Sequence, residues 1–213
     1  MHGSGVKSLR TPTFGPMSLH EDFLSHLAQT SPYPIALDVI GAEGCHIFTR
    51  DGKRYLDLVA GLAVNNTGHR HPKVIAAIKD QCDRYLHVIP YGEFMQEPQT
   101  RYAAELASLL PPTLDNVYFV NSGTEAIEAS LKLAKRVTGR TQLIGCRKSY
   151  HGATHGSLSL TDNTAKRYRN LPLLPDTDHI TFNDPDDLER ISEHTAAVVV
   201  EPIQGDAGVR VPE

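Results

Sequence analysis

Ser122, Gly123 and Thr124 place two hydroxyls around a residue with no side chain. What surrounds them gives that triplet a possible chemistry. The residues before it, Val117, Tyr118, Phe119 and Val120, are β-branched or aromatic and predict a buried strand. After it, Ile127, Leu131, Ala134 and Val137 share one helical face, while Glu125, Glu128, Lys132 and Lys135 fall mostly elsewhere. Gly139 stands where a helix takes a left-handed stop. A strand that turns through small residues into a helix presents free N–H groups and the positive end of the helix dipole. The hydroxyls of Ser122 and Thr124 add donors. This is the pattern of a phosphate cradle. The same residues also serve as an ordinary helix cap. The turn carries neither a G-x-G-x-x-G motif nor a Walker lysine.

The elements that must position this turn follow from the rest of the chain. The 213 residues, 40% of them hydrophobic, suffice for one sizeable core. A net charge of −4 with scattered basic residues points away from nucleic acid. Three widely spaced cysteines, Cys45, Cys82 and Cys146, indicate neither a disulfide framework nor a zinc site, and fit a reducing cytoplasm. None of the 11 histidines has metal-ligand spacing, and Gly68–Pro72 (GHRHP) reads as a turn before a helix. No apolar run reaches membrane length and no signal peptide leads. The opening MHGSG reads as a flexible leader.

Ser18 to Glu21 form a capping box, which predicts a helix to about Gln29. Strands are expected at Ile35–Ile40, Cys45–Arg50 and Arg54–Leu58, with Asp51-Gly52 as a hairpin turn. Together they make a small antiparallel sheet. Pro72 and Pro98 each open a helix, the second running to about Leu110. Beyond the central strand–turn–helix come a strand at Gln142–Cys146, a loop from Arg147 to Ser157, a helix from Asp186 to about His194, and a continuous apolar strand at Ala196–Val200. Alternating strands and helices predict a mostly parallel sheet. Because no helix follows the last strand, the chain is expected to be part of a longer one.

In order and spacing, four segments resemble the class III pyridoxal-phosphate aminotransferases, the ornithine, acetylornithine and ω-amino acid group. They are RDGKRYLDLVAGLAVNNTGHRHPKV, FVNSGTEAIEASLKLAKR, YHG at Tyr150–Gly152, and VVVEPIQGDAGV. The resemblance implies an α/β fold of type I, a three-layer α/β/α arrangement. Residues 1–66 form a small N-terminal segment and residues 67–213 the first part of the large cofactor domain. It implies pyridoxal 5′-phosphate (PLP) as cofactor, held through its phosphate by Ser122, Gly123 and Thr124. Tyr150 stacks on the pyridine ring with His151 beside it, Glu201 lies at the cofactor edge, and Gln204 is a polar neighbour. The small-molecule partners are an amine or amino acid donor and an oxo-acid acceptor. A homodimer is expected, with the His87–Phe94 segment (Val88, Ile89, Tyr91, Phe94) contributing to its interface.

The departures from the family pattern also matter. The family's Schiff-base lysine, and its aspartate that pairs with the pyridine nitrogen, are expected beyond Glu213, so the chain alone is expected to be inactive. A decarboxylase or aminomutase of the same fold, or a non-catalytic cofactor-binding fragment, are the alternatives. Relatives acting on ornithine or acetylornithine usually carry an arginine after the aromatic-x-Gly segment, and here that position is Ala153. A methyl group cannot grip a carboxylate as an arginine fork does. The intact enzyme should therefore prefer donors with no α-amino-acid carboxylate to grip, such as short ω-amino acids or simple amines. Comparing the first half-reaction across acetylornithine, ornithine, an ω-amino acid and an aryl amine checks this, and acetylornithine reacting fastest by a wide margin would count against it.

Overall fold

The structure is a computed structural model and describes residues 18–89 and 92–213. The MHGSG leader and Tyr91 lie outside the described residues. The chain divides into two compact units between Phe94 and Met95.

In the first unit, helix α1 (Leu19–His26) starts on the expected capping box and ends short of Gln29. The N–H of Ser18 donates to Glu21 at 2.8 Å, and the Ser18 hydroxyl accepts from the Glu21 N–H. Strands β1 (Val39–Glu43), β2 (His46–Thr49) and β3 (Arg54–Leu56) form an antiparallel sheet in that order. The first strand begins later than Ile35 because Ala36 takes a left-handed φ of 52°. The following helical turn, α2 (Ala60–Ala63), is itself left-handed, with φ of 48°, 64°, 60° and 63°. Such backbone costs about 1–2 kcal/mol for each residue bearing a Cβ. Asp57 offsets part of that: its Oδ1 accepts the N–H of Val59 and Ala60 at 3.0 and 2.9 Å. Its Oδ2 holds His69 Nε2 at 2.6 Å. Helix α3 (Pro72–Arg84) opens at Pro72 as expected.

The second unit carries the parallel sheet. Helix α4 (Glu97–Ser108) precedes helix α5 (Gly123–Thr138), which Gly139 ends at a left-handed φ of 69°. Then come β4 (Gln142–Cys146), α6 (His155–Leu160), α7 (Thr164–Arg167), β5 (Thr177–Ile180), a 3₁₀ turn at Asp186–Arg190 and β6 (Thr195–Val198). The strand order is β5-β4-β6, and β4 pairs parallel with both neighbours. Its residues alternate between two apolar clusters. Leu143 packs with Leu131 and Leu160, and Ile144 and Cys146 pack with Ile180. Gly145 lets α6 lie directly on the strand, since a Cβ there would come within 2.7 Å of the Leu160 carbonyl oxygen.

Four expectations need correction. Val117–Val120 forms no ladder with any described strand; Tyr118 is 68% exposed, and Phe119 stacks on Tyr102 of α4 with ring centroids 5.8 Å apart. A strand exists only through a hydrogen-bonded neighbour, and among the described residues none pairs with this segment. The loop after β4 contains α6, β5 was not foreseen, and the helix expected to His194 is a single 3₁₀ turn. Among the described residues, no helix is long and apolar enough to cross a membrane.

Leu131 is 3% exposed and joins α5 to the sheet. Leu131→Ala should cost about 2–5 kcal/mol of unfolding free energy. Urea titration measures it, and a loss below about 1 kcal/mol would show that α5 is not anchored through this residue.

Candidate functional site

The expected site residues all belong to the second unit, and they meet where β4 and β6 end. Open α/β sheets bind ligands at this carboxyl edge. Ser122 caps α5, its hydroxyl accepting from the Glu125 N–H at 3.3 Å, and the Asn121 N–H donates to the Glu125 carboxylate at 2.7 Å. That leaves the N–H groups of Gly123 and Thr124, the first two of the helix, without an intrahelical acceptor. The space above Gly123 is open: nothing lies within 4 Å of where a Cβ would sit. Ser122 accepts through its lone pairs, so its own proton is available outward.

Thr124 is turned the other way. Its hydroxyl lies 2.7 Å from Thr154 Oγ1 and 2.6 Å from Ser157 Oγ, and Thr154 Oγ1 lies 2.5 Å from Glu128 Oε1. A carboxylate only accepts, so Thr154 donates to Glu128. Thr154 then offers Thr124 only lone pairs, and the Thr124 proton points inward. What Thr124 presents outward is its N–H. Gly152, at φ 134°, packs against this hydroxyl cluster, and a Cβ there would collide with Thr124 and Ser157.

Tyr150 follows β4 and is 40% exposed. The Lys166 ammonium lies 4.3 Å from its ring centroid and 3.6 Å from the Asp206 carboxylate. Its neighbour His151 is buried: the backbone N–H donates to Thr161 Oγ1 at 2.9 Å, and the ring Nε2 has no partner among the described residues. Beside Tyr150 stands Glu201. Burial pushes its carboxyl above the usual range, the Tyr150 N–H offsetting only part of that rise and Asp206 adding to it, and its Oε2 is buried without a partner among the described residues. Gln204 is fully buried and committed to protein: its Nε2 donates to the Arg147 carbonyl and its Oε1 accepts from Arg210, both at 2.9 Å. The amide braces the loop after β6 against the end of β4. Ala153 is exposed.

Glu128, Thr154, Ser157 and Lys166 were not singled out from the sequence. Thr154 before a helical His-Gly-Ser carried a faint capping signal. Glu128 reads as an exposed-face residue of α5, and only the fold turns it inward.

A helix N-terminus with unpaired N–H groups and a half-exposed tyrosine thus stand at the carboxyl edge of a parallel sheet in an α/β protein. Comparison with known proteins gives the family. The model of the aminotransferase class-III family matches residues 28–213, and the chain belongs to that family. It is 42% identical over 188 residues to an acetylornithine aminotransferase of Methanopyrus kandleri, an alignment spanning 88% of this chain and 47% of the relative. Among solved structures it resembles an (S)-enantioselective omega-transaminase from Thermomicrobium roseum, with TM-score 0.80 and 30% identity over 90% of this chain and 50% of that one. It also resembles a taurine:2-oxoglutarate aminotransferase from Bifidobacterium kashiwanohense, solved with PLP and glutamate, with TM-score 0.77, 27% identity, and coverage of 92% and 49%. The fold is thus that of the type I aminotransferases, and the chain spans about half the length of the relatives it matches.

The buried imidazoles set a pH dependence. Burial first, then its neighbour His179, holds His151 below the usual imidazole range; burial, then Arg167, does the same for His179. The unfolded chain therefore takes up protons before the native one does. The stability these residues confer is full above about pH 6.5 and falls as pH drops below it. Asp187, held at about 2 by hydrogen bonds from Thr181 and Arg190, loses its contribution only in stronger acid. Thermal melts between pH 7 and 5 should show a falling midpoint, with a shallower slope in His179→Gln. Equal slopes would remove His179 as a cause.

Proposed function

We propose that this chain supplies the cofactor-binding part of a PLP-dependent aminotransferase, moving an amino group between an amine or amino acid donor and an oxo-acid acceptor. Family membership supports the reading, and one structural observation carries it. The open N-terminus of the 16-residue α5 faces outward beside the half-exposed Tyr150, at the carboxyl edge of the parallel sheet. The residues present fit the cofactor. The N–H groups of Gly123 and Thr124 and the hydroxyl of Ser122 would hold the phosphate, and the ring of Tyr150 would support the pyridine face. Glu201, with a buried oxygen that has no partner among the described residues, would stand at the ring's edge, while His151 and Gln204 fix the segments that carry the platform.

When bound, PLP supplies the electron sink that acidifies the carbon bearing the donor's amine. The chain's own contribution is binding and orientation. The helix N-terminus fixes one end of the ring compound, and Tyr150 fixes its tilt and keeps water from one face. Ala153 leaves the region after the platform without a fork for a donor's α-carboxylate. We further propose a homodimer with the His87–Phe94 segment at its interface, and a cytoplasmic location, supported by cysteines that are free among the described residues.

Gly123→Val would set a branched side chain over the free N–H groups, and Ser122→Ala would remove a hydroxyl donor. A hydrogen bond to a charged group contributes about 1.5–3 kcal/mol, so each change should weaken PLP binding by roughly tenfold or more. Fluorescence titration of the cofactor-free intact protein with PLP, and separately with inorganic phosphate, measures this. Unchanged affinity in both variants would overturn the phosphate assignment.

A further inference from the structure

We propose that Glu128 is a positioning residue that sets the distance between the phosphate turn and the aromatic platform. The inference rests on the cofactor reading above and concerns a residue that touches neither the phosphate nor the ring.

Helix α6 is a six-residue rod lying on β4, buried from Gly156 to Leu160. Glu128 grips its first turn. Oε1 accepts from the Thr154 hydroxyl at 2.5 Å, from the Gly156 N–H at 2.8 Å and from the Ser157 N–H at 3.1 Å. One carboxylate oxygen on α5 thus satisfies two of the four N–H groups that any helix start leaves unpaired. Its charge lies where the dipole of α6 favours it. The contact is close: a Cβ on Gly156 would collide with the Glu128 carboxylate and push it aside.

The far end of the same rod holds the platform. The Ser149 hydroxyl donates to the Leu160 carbonyl at 2.8 Å, the Asp162 N–H donates to the Ser149 carbonyl at 3.0 Å, and the His151 N–H donates to Thr161 Oγ1 at 2.9 Å. The Lys148 N–H is taken by the Asp162 carboxylate at 2.9 Å. Tyr150 is therefore stitched on both sides to the C-terminal end of α6. A fixed rod runs from Glu128 to Tyr150, and Glu128 is one turn along the helix whose N-terminus binds the phosphate. A ring compound tethered by its phosphate meets the tyrosine only if that rod is in place.

The test uses the cofactor-free intact protein and three probes: PLP, pyridoxal, which lacks the phosphate, and inorganic phosphate. Glu128→Ala releases the rod but leaves the N–H groups of α5 intact. PLP affinity should fall roughly tenfold, while pyridoxal, which has no phosphate to hold in register with the platform, and inorganic phosphate should each stay within about twofold. Glu128→Gln keeps an acceptor in the same place and should restore PLP binding to within about threefold of the unmodified protein. Gly156→Ala, which displaces the carboxylate without altering it, should reproduce the Glu128→Ala pattern. Ile180→Ala, which lowers the melting temperature through the cluster with Ile144 and Cys146 rather than the one that holds Leu160 of α6, should leave all three affinities unchanged and so separates positioning from stability. The proposal is overturned if Glu128→Ala changes none of the affinities, if it weakens all three alike, if Glu128→Gln fails to restore PLP binding, or if Gly156→Ala binds like the unmodified protein. Failure of the unmodified protein to bind PLP at all would remove the cofactor reading, and this role with it.

Discussion

The middle strand of a three-stranded parallel sheet has no free side. In β4 both backbone edges are hydrogen-bonded, to β5 and to β6, and both faces are covered. Its residues from Leu143 to Cys146 are buried, whereas β6, at the sheet edge and expected from its apolar run to be covered on both faces, is only partly buried. The site depends on the immobility of β4. Tyr150 and His151 follow its end within a few residues, Glu201 and Gln204 follow the end of its neighbour β6, and α6 rests on its glycine. Gly145 is small for a packing reason: the backbone of Leu160 occupies the place of a side chain. A bulkier residue would lift α6 and with it the segment that carries the tyrosine.

Around this strand the polar groups are arranged with direction. Glu128 draws the protons of Thr154 and Thr124 inward, so the hydroxyl cluster faces the protein rather than a ligand. The outward donors of the turn are main-chain N–H groups and Ser122. Backbone donors at a helix start hold position without side-chain entropy to lose on binding. The threonine, whose hydroxyl the sequence suggested as a donor, instead joins two helices. Gln204 has a comparable part: its amide donates to Arg147 and accepts from Arg210, and it holds the loop carrying Glu201 to the end of β4. By contrast Glu201 and His151 each keep a buried polar atom without a partner among the described residues.

The electrostatics near Tyr150 are mixed. Lys166 lies over the ring and is loosely matched by Asp206, both about half exposed, so the pair is worth little in itself. Ala153 brings no cation to the region. The residue after the Tyr150–Gly152 segment is thus a methyl-bearing alanine and not an arginine.

Local pattern was enough to identify much of this. The capping box at Ser18, the proline-led start of α3, the helix from the Ser-Gly-Thr turn to Gly139 and the limits of β4 at Gln142 and Cys146 are each written in a few adjacent residues. Those residues act through their own backbone, so neighbours in sequence suffice. Strand β5 reads poorly because its Asp178 and His179 are polar; Arg190 pairs with the first, and the Leu160 carbonyl accepts from the ring of the second. Val117–Val120 shows the reverse case, a strand-like composition with no ladder, since pairing belongs to two segments and not to one. Glu128 is the clearest instance. By sequence it is one more acid on the polar side of an amphipathic helix. Only the packing of α6 against α5, which brings Gly156 and Ser157 beside a residue 28 or 29 positions earlier, makes its carboxylate the cap of another helix. The sequence alone determined which backbone groups would be free to bind an anion, because helix ends are local. The tertiary structure decided which side chains would hold the platform in register with them, because those hydrogen bonds close over distances in the chain that no local pattern encodes.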